Sequence, residues 1–275
     1  MSEQKSASET AETTALVRAV ACFEPDGRIR VQDCLARMFL QSEKRDKLDK
    51  EQYRSAVKTA ARNGLYEYII ARTTYFDGLF ANAIKDGIPQ IVILGAGYDS
   101  RAYRFGSGTT KIFEVDATFT QERKISILKA NGIDCGKVSF VPVDFEKDDM
   151  FLRLEERGHD LAQLTYFLWE GVSFYLTPDA VRATLMAIKQ NCRGSVVVFD
   201  YLNTSLSGEH EIIRKDERVL FGMEKSEIET WLSSLGFRVL ENLNPSEITA
   251  RFLTGTDGKV FGNTKDTMNF MKAAV

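Results

Sequence analysis

Four short apolar runs in this chain each end on residues able to meet a ligand. Ile91–Leu94 leads into Gly95-Ala96-Gly97-Tyr98-Asp99, Lys111–Val115 into Asp116-Ala117, Val138–Val143 into Asp144-Phe145, and Thr165–Trp169 into Glu170-Gly171. Glycines after a strand let the backbone turn tightly and bring a ligand close to main-chain N–H groups at the start of a helix. Such a loop serves several nucleoside cofactors and is sometimes only a tight turn. Ser100 stands where a dinucleotide fingerprint has its third glycine, which disfavours NAD. Asp116 lies at the spacing where a carboxylate accepts from ribose hydroxyls, a feature common to nucleoside binders. Asp144 can accept from an adenine amino group while Phe145 covers the ring, and Glu170 can face a cationic group. Any one of these acids also reads as a solvated loop residue. Their recurrence at four successive strand ends is the stronger signal, because an open parallel sheet binds ligands outside those ends.

The elements that must position them follow an α/β pattern. A fifth run covers Ser195–Phe199, a sixth Phe237–Leu240, and a seventh falls within Thr267–Val275 beyond a loop rich in Gly, Asn, Asp and Thr. Helical patterns separate the runs, which predicts a mostly parallel sheet covered on both faces and ending in a hairpin-like antiparallel strand. Thr118-x-x-Gln121 reads as a capping box, Thr177-Pro178 as an N-cap with proline at the first helical position, and Gly236 as the stop of KSEIETWLSSLGF. Upstream, residues 12–88 read as helices, broken at Asn63-Gly64 and ending near Gly87-Ile88-Pro89. Residues 1–11 are small and polar, the composition of a flexible tail.

With 275 residues the chain suits one domain rather than two. Its 36 basic and 39 acidic residues give a net charge of -3, with no global pull toward nucleic acid or an anionic membrane, so a small acceptor is the expected partner. Cys22, Cys34, Cys135 and Cys192 form no CxxC pair and no zinc spacing, and are expected as free thiols. Neither a signal peptide nor a run of 18 apolar residues is visible, so a cytoplasmic location is expected; the sequence leaves monomer and homodimer open.

The runs RTTYFDG (72–78), VILGAGYDSRAYRF (92–105), EVDATFTQERK (114–124), VPVDFEKDD (141–149) and FLWEGVSFYLTPDAV (167–181) resemble the leucine carboxyl methyltransferase family. The resemblance covers roughly 30–275 and includes bacterial O-methyltransferases associated with small natural products. It implies a Rossmann-like class I methyltransferase fold and S-adenosylmethionine as cofactor. Arg72 would hold the cofactor carboxylate, the Gly95-Ala96-Gly97 loop would pass beneath the methionine moiety, Asp116 with Ala117 would meet the ribose, Asp144 and Phe145 the adenine, and Glu170 the amino group. Arg101 and Arg104 also fit the family pattern, as ligands or as salt-bridge formers.

Methyl transfer from a sulfonium is an in-line displacement whose catalysis is mainly alignment and water exclusion, with no metal required. A carboxylate acceptor needs no general base; a hydroxyl does. Tyr175, after Glu170, and His210 are the candidates near the chemistry, although the chain's two histidines, His159 and His210, fit ordinary surface positions. Residues 201–222 and the N-terminal helices are expected to form a lid. Rival readings are a protein C-terminal carboxyl methyltransferase, an NAD-dependent oxidoreductase on a similar sheet, for which no Tyr-x-x-x-Lys pair is present, and a non-catalytic ligand-binding protein.

Overall fold

The computed structural model describes residues 2–30, 32–144, 147–203, 212–214 and 217–275, with side chains described outside 2–8 and 212–218. Its strands are β1 (Gln90–Leu94), β2 (Lys111–Asp116), β3 (Val138–Pro142), β4 (Thr165–Trp169), β5 (Val196–Leu202), β6 (Ile212–Arg214), β7 (Glu217–Arg218), β8 (Arg238–Leu243) and β9 (Met268–Ala274). The helices are α1 (Ser2–Ala21), α2 (Ser42–Lys47), α3 (Glu51–Ala60), α4 (Leu65–Lys85), α5 (Arg101–Phe105), α6 (Thr118–Ala130), α7 (Met150–Glu156), α8 (Pro178–Asn191), α9 (Lys225–Ser234) and α10 (Pro245–Phe252).

Seven strands form one sheet in the order β3-β2-β1-β4-β5-β9-β8, and β6 and β7 make a separate ribbon. β3, β2, β1, β4 and β5 are mutually parallel, whereas β9 runs antiparallel to both β5 and β8. The Rossmann-like α/β sheet with an antiparallel C-terminal strand is therefore present. β1 and β4 are buried along their whole length, as central strands covered on both faces must be. Alternation splits the core: Ile91 and Ile93 belong to one buried cluster with residues of α1 and α4, while Val92 and Leu94 belong to the other, with Val181 and Leu185 of α8 and Ile228 and Leu232 of α9.

Local chemistry sets most helix ends. Thr177 Oγ1 accepts from Ala180 N at 3.2 Å ahead of Pro178, and α9 gives way to Gly236 at φ +85°. The expected box at Thr118 does not form: Ala117 is the N-cap, and Gln121 turns inward to donate to the carbonyls of Glu114 and Val141. Gln121 is buried, so its amide takes partners inside the fold rather than at the helix start. α10 lies in the stretch expected to be loop, opened by an Asn244–Glu247 capping box with Pro245. α1 includes residues 2–11 of the segment expected as a tail, and Glu12, the next residue of the helix, is buried.

Two further expectations change. Cys22 and Cys34 form a disulfide, with Cα atoms 5.5 Å apart, that ties the end of α1 to the 3-10 turn Cys34–Phe39; Cys135 and Cys192 are free. The chain folds back between them, a proximity that scattered spacing does not reveal. His159 is buried rather than exposed, its Nε2 3.0 Å from Thr165 Oγ1 and its ring among Phe113, Phe151 and Phe167. Among the described residues, no helix is long and apolar enough to cross a membrane.

Burial lowers His159 to about 4, so the folded protein keeps it neutral where an unfolded chain, titrating near 6.5, takes up a proton. The stability this site contributes is intact above pH ~6.5 and falls as pH drops toward 4. A loss of up to about 2 kcal/mol over that window is expected, allowing for solvent screening. Urea melts of His159→Gln and the parent between pH 7 and 4 check this: the stability gap between them should narrow on acidification, and a constant gap contradicts it.

Candidate functional site

Because β3, β2, β1 and β4 are neighbours, their C-terminal ends bring Asp144, Asp116, the Gly95–Gly97 loop and Glu170 to one edge of the sheet. The glycine loop turns on two positive backbone angles, φ +63° at Gly95 and +45° at Gly97. A Cβ on Gly95 would lie 2.5 Å from Val172 Cγ2, and one on Gly97 would lie 3.3 Å from Ala11 Cβ. Val172 follows Glu170 and Ala11 belongs to α1, so the loop is sandwiched between the β4 exit and the N-terminal helix, part of the expected lid.

Asp116 braces this loop: its Oδ2 accepts from Gly97 N at 2.5 Å and its Oδ1 from Ala117 N at 2.7 Å, while Ala96 N donates to Val115 O at 3.0 Å. Burial raises the Asp116 pKa, opposed by those two N–H groups. Each oxygen keeps a lone pair for a ribose hydroxyl. Asp116→Ala should weaken cofactor binding by about 1–3 kcal/mol, with Asp116→Asn less damaging. Calorimetric titration with S-adenosylhomocysteine reads this, and unchanged affinity would show that the carboxylate faces no ligand.

At the β4 tip lies a charge network that the residue spacing only partly announced. Arg72, on α4, is buried; its Nε is 2.9 Å from Glu170 Oε1 and its Nη1 3.1 Å from Asp200 Oδ2. Asp200 also accepts from Tyr68 Oη and, through Oδ1, from Gly171 N at 2.7 Å. Arg101 Nη2 is 2.6 Å from Glu170 Oε2, and the same guanidinium pairs with Asp77 at 2.7 Å and with Asp99. Arg104 pairs with Asp77 at 2.6 Å, and Arg18 with Asp33 at 3.1 Å while donating to Tyr98 O at 2.8 Å. Arg101 and Arg104 are thus salt-bridge formers that hold α4 and α5 together. Arg101 and Arg72 also hold the Glu170 pKa below the usual carboxylate range against the effect of burial.

The charge balance of this network suits a particular ligand. Arg18, Arg72, Arg101 and Arg104 face Asp33, Asp77, Asp99, Glu170 and Asp200, one negative charge in excess, with Asp116 adjoining. S-adenosylmethionine carries a carboxylate, an ammonium and a sulfonium, one positive charge in excess. Arg72 Nε, Arg101 Nη2 and Glu170 Oε2 sit at ion-pair distance yet are buried and outside hydrogen-bonding geometry. Buried groups with unused capacity are costly unless a partner arrives. Arg72 can take the cofactor's carboxylate and Glu170 its ammonium.

The remaining sequence candidates are less engaged. Asp144 is half-exposed at the β3 exit and pairs with Lys147 at 2.7 Å, while Asp148 accepts from its backbone N–H. Phe145 and His210 lie outside the described residues. Tyr175 ends the 3-10 turn Ser173–Tyr175, half-buried beside Phe174. His159 precedes β4 and so sits at the opposite edge of the sheet from the glycine loop. Sequence reasoning missed Asp200 and Tyr68. The available signal was an acid inside the apolar run VVVFDYL of β5, one residue beyond the predicted strand end.

Comparison with known proteins agrees with this architecture. The sequence profile of the leucine carboxyl methyltransferase family matches residues 11–189. A protein of Mycobacterium avium (strain 104), named as a candidate S-adenosyl-L-methionine-dependent methyltransferase, is 35% identical over 197 residues, 66% of this chain and 62% of the relative. YktD of Bacillus subtilis (strain 168), named likewise, is 31% identical over 215 residues, 73% of this chain and 68% of the relative. The alignment thus spans less than two thirds of the Mycobacterium avium relative's length. The crystal structure of a candidate methyltransferase from Thermobifida fusca YX superposes with a TM-score of 0.58 at 16% identity, covering 82% of this chain and 88% of that one, a likeness of fold. Profile match, strand order and the cradle at the strand tips converge: this chain belongs to the leucine carboxyl methyltransferase family, and the cofactor that goes with that membership is S-adenosylmethionine.

Proposed function

We propose that the protein is an S-adenosylmethionine-dependent O-methyltransferase that esterifies a carboxylate of a small acceptor, with hydroxyl methylation as the neighbouring possibility. The observation that supports it most is the Arg72–Glu170 pair, buried with unused hydrogen-bond capacity beside a glycine loop braced by Asp116. When bound, the cofactor supplies an electrophilic methyl group on a sulfonium. Arg72 and Glu170 fix its amino-acid end, Asp116 its sugar, and Val172 and Ala11 keep water off the loop.

A carboxylate acceptor is favoured because it is ionised at neutral pH and needs no base. Among the described residues the sheet edge that carries the glycine loop holds no histidine, and Tyr175, in the turn after β4, is the group we assign to orienting the acceptor oxygen. Incubation with methyl-labelled cofactor and a panel of aliphatic acids, aromatic acids and phenols, followed by mild alkali, tests the reading. Labelled methanol is expected from ester products; alkali-stable label would shift the reading to ethers, and no transfer to any acceptor would overturn it.

A further inference from the structure

We propose that a cavity of about 390 Å³ on the flank of α4 is a second ligand site, one that takes a small organic monocarboxylate. Its walls come from four separate segments. Glu24 and Arg28 lie in the loop after α1, Lys58 on α3, Tyr66 and Glu67 in the first turn of α4, and Phe261 in the loop leading to β9. The volume lies within the range of small-molecule sites, and the lining sets charged side chains beside two aromatic rings.

The charges choose the ligand. Glu24 is buried and already committed, accepting from Tyr66 Oη at 2.9 Å and pairing with Lys58, whose ammonium lies 5.4 Å from the centre of the Tyr66 ring. Arg28 is differently placed. Its guanidinium sits 5.3 Å over the Phe261 ring, and among the described residues no carboxylate lies within ion-pair distance of it. A guanidinium lining a cavity with its fork uncommitted matches a carboxylate in both charge and geometry. Phe261 and Tyr66, with ring centres 6.0 Å apart, offer the apolar surface for the ligand's body. Glu67 on the wall disfavours a second negative charge, which restricts the ligand to a monoanion.

The site is separate from the cofactor cradle. Tyr66 and Arg72 are six residues apart on α4, about 9 Å along the axis and about a third of a turn around it. Tyr68 and Arg72 face Asp200, whereas Tyr66 faces Glu24. An occupant would tie the α1 exit, α3, α4 and the β9 approach together.

Ligand-observed NMR and calorimetry on the full chain test this, with benzoate, phenylacetate and hexanoate as probes, neutral benzamide as control, and S-adenosylhomocysteine titrated in parallel. Arg28 is exposed, so Arg28→Gln leaves the fold intact. At least one carboxylate is expected to bind with a Kd at or below about 1 mM, and benzamide at least tenfold more weakly. Arg28→Gln should weaken the carboxylate at least tenfold, Arg28→Lys should recover part of that loss, and S-adenosylhomocysteine affinity should stay unchanged in both. The proposal is overturned if none of the carboxylates binds, if Arg28→Gln binds them as the parent does, or if S-adenosylhomocysteine displaces them.

Discussion

Arg72→Met is expected to produce the largest loss of any single substitution, in stability and in cofactor affinity together. The methionine matches the stem of the arginine but leaves Asp200 without its cation and Glu170 with Arg101 alone. Removing one member of a buried ion pair typically costs about 3–5 kcal/mol, because the remaining charge stays desolvated. The cofactor carboxylate also loses a charge-assisted fork, a loss of roughly ten- to a hundredfold in affinity. A double variant separates the two effects. Arg72→Met with Asp200→Asn removes the orphaned charge, while the amide oxygen still accepts from Gly171 N and the amide nitrogen donates to Tyr68 Oη, which reverses that hydrogen bond. Its melting temperature should recover part of the loss, whereas affinity for S-adenosylhomocysteine should not. Parent-like stability and affinity in the single variant would show that Arg72 is neither paired nor a ligand.

Gly95→Val is expected to be at least as severe for binding and much milder for global stability. The residue needs φ +63°, which a β-branched side chain pays about 1–2 kcal/mol or more to adopt. Its Cβ would also lie 2.5 Å from Val172 Cγ2, so the β4 exit must be pushed away. These terms act at the strand-to-helix turn, and the expected outcome is at least a hundredfold loss of S-adenosylhomocysteine affinity with far-ultraviolet circular dichroism unchanged. Normal binding by this variant would mean that the turn does not carry the ligand.

The sheet was legible because its information is local. β1 to β5 are short runs dominated by β-branched and aromatic residues, and the exits of β1 to β4 carry glycine or acid, so these elements and the shared edge follow from residues a few positions apart. The network behind that edge is not local. Arg72 and Tyr68 meet Asp200 across 128 and 132 positions, and Arg18 reaches Tyr98 across 80. Family likeness placed Arg72 at the cofactor, but the acids that hold it appear only once β5 is laid beside β4. The disulfide is a further case, since a separation of 12 residues becomes a 5.5 Å Cα distance only after α1 ends and the chain doubles back. α10 differs again: Asn244, Pro245 and Glu247 spell out a helix start locally, and the polar composition after it masks the signal.

The most direct test of the central claim, that these strand tips form one cradle for the adenosyl sulfonium, is a crystal structure of the full chain with S-adenosylhomocysteine. The account predicts the ribose at Asp116, the amino-acid end between Arg72 and Glu170, and the backbone of Gly95–Gly97 within van der Waals contact of the ligand. Density for the ligand elsewhere on the molecule, with Asp116 and Glu170 turned away from it, would contradict the account.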